Sequence, residues 1–347
     1  MNYKILLLLG LMGAPLRAVS LDGTSAVVYQ SGPYAFSDGN VARGFVWLAG
    51  GLSVPADGTV TLDLPIPVSG PITCNETGKL SLGSDLYLAS DASFADGCKV
   101  DGADKSIHLR SSLKLPAGKT FEITSNTTIN GNGNRLDLNG SNFYVNGASA
   151  TTLRLKNMVL YGLRDLSDTI AAIRFGETEG HRLVLDNVTI YLTGDYTFAG
   201  GALSIVETVK LIGDHTFNYT SSKHCIINHG SMLMLDMHVT FNYQPEDRLA
   251  KHLVFKGRDA ALFLHGGTLF VPKANGINLV KGHLIVDHKS YIQQDWVPDD
   301  DFGVGGGRVV FGDGKHKGAN MAVDIMPSAQ LVNMSAAISF GNIDLPV

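Results

Sequence analysis

The tetrapeptide Thr-Phe-Asn-Tyr occurs twice, at 216–219 and at 240–243, 24 residues apart, with a histidine shortly before each copy and alternating apolar residues behind it. That distance is about one coil of a β-solenoid. A unit so small cannot bury its own apolar face, so it must stack on neighbours like itself. The repeat therefore constrains the architecture of most of the chain, and it says nothing by itself about an activity.

Composition points the same way. The charged fraction is 17%, below the roughly 25% usual for soluble domains, and 40 glycines among 347 residues exceed the usual share of about 7%. Short alternating runs such as Leu80-Ser81-Leu82, Leu86-Tyr87-Leu88, Ile107-His108-Leu109 and Leu136-Asp137-Leu138 are separated by Gly, Asn or Asp. Each run has the length and period of a strand, and no long segment carries a 3.6-residue apolar period with caps at both ends. In the second half Leu183, Val209, Leu233, Leu262 and Leu284 open comparable runs at spacings of 26, 24, 29 and 22. Uneven coils of roughly 22–29 residues fit a parallel β-helix whose strands keep register while its loops vary in length. They fit a strict hexapeptide solenoid poorly. A two-sheet sandwich also shows many short strands. Against it stand the reused tetrapeptide and the near-copies Leu155-Lys156-Asn157-Met158-Val159 and Leu185-Asp186-Asn187-Val188-Thr189. In a stack, Asn218 and Asn242 would lie one strand spacing apart, about 4.8 Å, and their amides could form a ladder.

The segment Thr128-Ile129-Asn130-Gly131-Asn132-Gly133-Asn134, followed by Leu136-Asp137-Leu138, resembles the entry coil of pectin-lyase-like right-handed β-helix proteins. The likeness extends, as a pattern of coils, over residues 70–295. It implies an all-β, right-handed parallel β-helix, with Gly131 and Gly133 supplying corners at positive φ. The catalytic motifs of those enzymes do not carry over: the chain has no Asn-Thr-Asp, Gly-His-Gly or Arg-Ile-Lys.

The expected organisation is a secretory signal peptide over 1–20, an N-terminal cap and first coil over 21–70, β-helix repeats over 71–294, and a C-terminal coil and cap over 295–347. Lys4, the apolar run from Ile5 to Met12, and Ala18 and Ser20 before Leu21 carry the signal-peptide reading, with cleavage after Ser20. The run is too short to span a bilayer, and no transmembrane span is expected in the mature chain. Removing residues 1–20 takes away Lys4 and Arg17 and no acid, so the formal charge moves from −5 to −7. Nucleic acid is excluded as a partner on that charge.

Four histidines, His215, His238, His265 and His288, fall at spacings of 23, 27 and 23, close to one coil. Lined up on one edge they would bind a metal or respond to mild acid; the alternative is that they are independent corner residues. No His-Glu-x-x-His or Cys-x-x-Cys motif is present. Asp165, Asp168, Glu177 and Glu179 lie on the longest insertions of the repeat and are the candidate acids for a carbohydrate-active enzyme. The run Asp299-Asp300-Asp301 is read as a solvated or calcium-attracting loop, and no other cofactor is expected. Gly303 to Gly307 lacks the lysine of a phosphate loop. Cys74 and Cys98 lie 24 residues apart, about one coil, so their Cα atoms could meet at disulfide distance. An exported chain allows that bond, and Cys225 would then remain as a buried free thiol.

Two functions remain: a secreted or surface β-helix that recognises a polysaccharide or another surface without catalysis, or a polysaccharide lyase or glycoside hydrolase using the acids above.

Overall fold

Because side chains alternate across a strand, an apolar–polar alternation puts its apolar members on one face. Leu52–Val54, Ile66–Val68, Lys79–Leu82 and Leu86–Leu88 each set buried residues against half-exposed ones in this way. A one-residue slip would turn every buried side chain to solvent, so register is strongly specified. The computed structural model describes residues 50–245 apart from 64 and 76, then 253–272, 277–295, 309–312, 321–334 and 338–340, with short strands between Val28 and Leu48. Residues 1–20, Trp296, the run Asp299–Asp301 and Gly303–Gly307 lie outside the described residues.

Among the described residues there is no helix, and therefore none long and apolar enough to cross a membrane. The strands stack into three faces around one core. One face runs from Ile66–Val68 through Leu86–Leu88, Lys105–Leu109, Thr127–Asn130 and the first halves of the long strands Thr152–Leu163, Arg182–Leu192 and Ala202–Ile212 to Cys225–Ile227 and Leu253–Phe255. A second runs through Leu113–Lys114, Arg135–Asp137 and the second halves of those long strands to Met232–Leu235, Ala261–His265, Gly282–Asp287 and Met321–Ile325. The third runs from Val41–Ala42 to Ile173–Phe175 and, after a break in pairing at the longest coil, from Tyr196–Phe198 to Gln330–Met334. Pairing along these faces is parallel, each strand meeting its counterpart one coil on. The antiparallel pairing among the described residues is a hairpin, Asp165–Ser167 with Ile170–Ala171. This is an all-β parallel β-helix; a sandwich would pair its neighbours antiparallel.

The two tetrapeptides lie in register, Thr216 on Thr240 through Tyr219 on Tyr243, and Asn242 Nδ2 donates to Asn218 Oδ1 at 2.8 Å. The near-copies also stack, Leu155 on Leu185 and Met158 on Val188. One column, Ile66, Leu86, Ile107, Ile129, Leu155, Leu185, Ile205, Ile227 and Phe255, measures the coils directly. Its steps run from 20 residues (Ile66 to Leu86, and Leu185 to Ile205) to 30 (Leu155 to Leu185), wider than the spacing pattern suggested. The assignment of Leu183 to the column of Val209 is corrected: Leu183 pairs with Leu203, while Val209 pairs with Val188. The strand Arg182–Leu192 is long enough to serve two faces, and a left-handed residue, Asn187 at φ 55°, stands between its two apolar sets.

Asn132, Asn157 and Asn187 all occupy this left-handed corner, at φ 51°, 48° and 55°. Asparagine tolerates that region better than other residues with a Cβ. Asn187 Nδ2 donates to Asn157 Oδ1 at 3.0 Å, tying two corners together. Gly133 has positive φ as expected, but Gly131 does not. A Cβ on Gly131 would lie 2.4 Å from that of Met158, so close approach of the next coil is what requires glycine there.

The interior of the third face is aromatic. Phe198, Tyr219 and Tyr243 stack at 5.7 and 5.9 Å between ring centres, nearly parallel, and Phe217 and Phe241 form a second pile at 5.7 Å. Their buried hydroxyls are satisfied: Tyr196 donates to Ile173 O at 3.0 Å, and Tyr243 Oη accepts from Leu253 N at 3.2 Å. Cys225 fills an apolar position between Leu203 and Leu253, and burial pushes its thiol up to about 12. That thiol is protonated at neutral pH and is no nucleophile.

One buried histidine makes stability depend on pH. His181 is 1% exposed, and its Nδ1 accepts from Thr151 N at 3.1 Å, a bond that only the form unprotonated at Nδ1 can make. Burial lowers its pKa below the ordinary imidazole value of 6.5. The unfolded chain then takes up a proton that the folded chain resists, so stability is retained above about pH 6.5 and falls as pH drops below it. In His181→Asn the side-chain oxygen can keep the acceptor without titrating. Urea midpoints measured from pH 8 to pH 5 should fall more steeply for the parent than for this variant; equal slopes would remove His181 as the cause.

Candidate functional site

Residues between the buried positions of the first face stand in columns one coil apart. Tyr87, His108, Asn130, Lys156 and Asp186 form one such column. The rings of Tyr87 and His108 stack at 4.7 Å, and the guanidinium of Arg110 lies 5.2 Å from the Tyr87 ring centre. Three coils on from His108, Asp186 is buried to 3% exposure between two cations, with Arg154 Nε at 3.0 Å and Lys156 Nζ at 3.6 Å. A buried carboxylate needs such partners. Two cations on one anion leave one positive charge at the surface.

Beyond the asparagine corner the same strands present a second platform. Arg135 lies 3.7 Å over the ring of Tyr161, and the rings of Tyr161 and Tyr191 are 6.0 Å apart. Asp137 Oδ2 holds the guanidinium at 2.7 Å, and Tyr191 is 39% exposed. Beside this platform, on the asparagine corner and starting one coil beyond His108, runs an open groove of about 390 Å³, with Asn132, Asn157, Asn187, Val159 and Thr189 in its lining. The exposed Tyr191, the corner amide groups and a surplus cation together suit a ligand with apolar C–H faces, hydroxyls and anionic groups.

The four candidate acids do not form such a place. Asp165 opens the hairpin and is spent on structure: its carboxylate accepts from Thr197 N at 2.9 Å and Thr197 Oγ1 at 2.7 Å. Asp168 is exposed at the hairpin tip. Glu177 and Glu179 are exposed in the turn before Arg182–Leu192, with Glu179 Oε1 3.5 Å from Lys223 Nζ. All four belong to the longest coil, as their insertions suggested, yet they stand on separate loops of it.

The histidines part company. His215 is a solvent residue 3.9 Å from Asp195 Oδ1, and His238 sits in a left-handed corner at φ 67°. His265 and His288 do meet, their ring centres 4.3 Å apart and their planes at 71°. Asp287 lies against both, and Asp236 approaches His265 from the preceding coil. Histidine spacing alone had no means of finding these two aspartates, because their places follow from strand register.

Cys74 and Cys98 are disulfide-bonded, with 5.2 Å between their Cα atoms. No family model, no curated protein and no solved structure matches the chain, so its function has to be argued from its own geometry.

Proposed function

We propose that this chain is a secreted or cell-surface β-helix of the pectin-lyase-like architecture that recognises a polysaccharide without cleaving it. The observation that carries the reading is the Arg135–Tyr161–Tyr191 platform beside the asparagine groove, with Tyr191 exposed, a cation surplus at Arg154 and Lys156 and a second aromatic–guanidinium platform at Tyr87 on earlier coils. Sugar rings lay their C–H faces on such aromatics, and carboxylate or sulfate groups pair with the guanidinium. Several coils in a row favour an extended chain over a small molecule. The signal sequence over 1–20 and the disulfide both suit an oxidising, extracellular setting.

The test is binding and product release by the purified secreted chain on a panel of acidic and neutral polysaccharides, with and without calcium. Binding to an acidic polymer without turnover is expected, and Tyr191→Ala should weaken it about tenfold, the equivalent of 1.4 kcal/mol. Tyr191 is partly exposed, so its loss spares the core. New reducing ends or unsaturated products would replace this reading with that of a carbohydrate-active enzyme, and a panel without binding would reject polysaccharide as the ligand.

A further inference from the structure

We infer that His265, Asp287 and His288 form a binding site for a first-row divalent transition metal such as zinc, copper or nickel. The site is independent of the polysaccharide platforms. It is assembled by register: His265 ends the strand Ala261–His265, Asp287 ends Gly282–Asp287, and the two residues pair directly across the sheet. The next residue, His288, is held at φ 57°, and its ring meets that of His265.

The donor geometry suits a small cation. His265 Nδ1 and His288 Nδ1 each lie 3.2 Å from Asp287 Oδ2. Donors about 2.0–2.1 Å from a tetrahedral metal are separated by roughly 3.3 Å, so little movement is needed to close around an ion. Two imidazoles and one carboxylate form the mixed nitrogen–oxygen set that these metals favour over calcium or magnesium. A fourth position would remain for water or a ligand.

Two further observations point to an ion here. His265 Nδ1 is buried, and it makes no hydrogen bond despite the nearby carboxylate. A buried ring nitrogen that faces a carboxylate at 3.2 Å without a well-aligned hydrogen bond is under-satisfied, and a metal between the two is one partner that fits. On the other side of the same ring, Nε2 faces Asp236 Oδ1 at 3.8 Å, and Asp236 Oδ2 is held by Lys210 Nζ at 2.8 Å. Metal-ligating histidines commonly have a carboxylate behind the ring to orient it. The immediate charges are Asp236 and Asp287 against Lys210, an excess of one negative charge that favours a dication.

The site can be tested by calorimetric titration of the full-length chain with zinc alone, and by cobalt substitution, whose visible spectrum reports nitrogen coordination. One equivalent of zinc should bind, and calcium should not compete. His288→Asn keeps a residue that tolerates positive φ and removes one donor. It should weaken binding by more than 100-fold, while Asp236→Asn, behind the ring, should cost about 10–100-fold. His215→Gln, at a half-exposed histidine outside the cluster, should change nothing. If zinc, copper and nickel all fail to bind, or if binding survives both His288→Asn and His265→Gln, the site does not exist. Because His288 is half exposed, its variant should fold even if His265→Gln does not.

Discussion

Phe241→Ala should destabilise the fold by about 3–5 kcal/mol. Phe241 is fully buried, lies 5.7 Å from Phe217 on one side, and is in register with Leu269 on the other. Truncation removes the burial of a large ring and leaves a cavity between coils that neighbouring strands, fixed by their hydrogen bonds, cannot collapse to fill. It also cancels ring contacts with Phe217 and Tyr219, each contributing about 0.5–1.5 kcal/mol beyond area. The column reads Tyr196, Phe217, Phe241, Leu269, Ile292, changing from aromatic to aliphatic at the next coil. Phe241→Leu loses the ring contacts but keeps most of the buried volume, so it should cost about 1–3 kcal/mol, less than alanine. Since a solenoid couples each coil mainly to its neighbours, hydrogen exchange should speed up first in the strands Thr216–Tyr219, Thr240–Tyr243 and Thr268–Phe270. A urea midpoint for Phe241→Ala matching that of Phe241→Leu would mean that the coils close over the cavity, and a Phe241→Leu midpoint equal to the parent's would mean that the ring contacts contribute nothing.

The same column explains what could be read from the chain and what could not. Phe217 and Tyr219 announce their place because alternation within a strand is local, and an identical tetrapeptide one coil later repeats it. Asn157 and Asn187 are visible for a similar reason: each sits inside a repeated pentapeptide, and a left-handed corner favours asparagine. Outward partners are different. Lys156 meets Asp186 only because 30 residues of coil, including a hairpin, return the chain to the same height, whereas the next coil does so in 20. No local pattern encodes that return. For this reason spacing alone puts Leu183 in the wrong column and does not single out Asp186, Asp236 or Asp287, while the loop acids, conspicuous in sequence, stand on separate loops. The charge-bearing surface of a β-helix depends on loop lengths, and its core depends on period.

The chain with its disulfide reduced should be about 3.5 kcal/mol less stable than the oxidised chain, from the closure entropy of a loop spanning 24 residues. Cys74 ends the strand Pro71–Cys74 and Cys98 begins Cys98–Asp101, so the bond ties two neighbouring strands of different faces near the start of the stack. Early coils have the least to hold them, since Tyr34–Ala35, Val41–Ala42 and Ser93–Phe94 are only two residues long. Both sulfurs are buried, so reduction leaves two thiols in apolar surroundings and changes little besides the cross-link. The double variant Cys74→Ala, Cys98→Ala should behave like the reduced chain, with urea unfolding and hydrogen exchange both shifted in residues 50–115. Indistinguishable midpoints for oxidised and reduced chain would show that neighbouring coils already confine the two cysteines. Cys98 and Phe241 are separated by six strand spacings, roughly 29 Å. Their effects should add, as expected for a stack in which a local loss is felt mainly by adjacent coils.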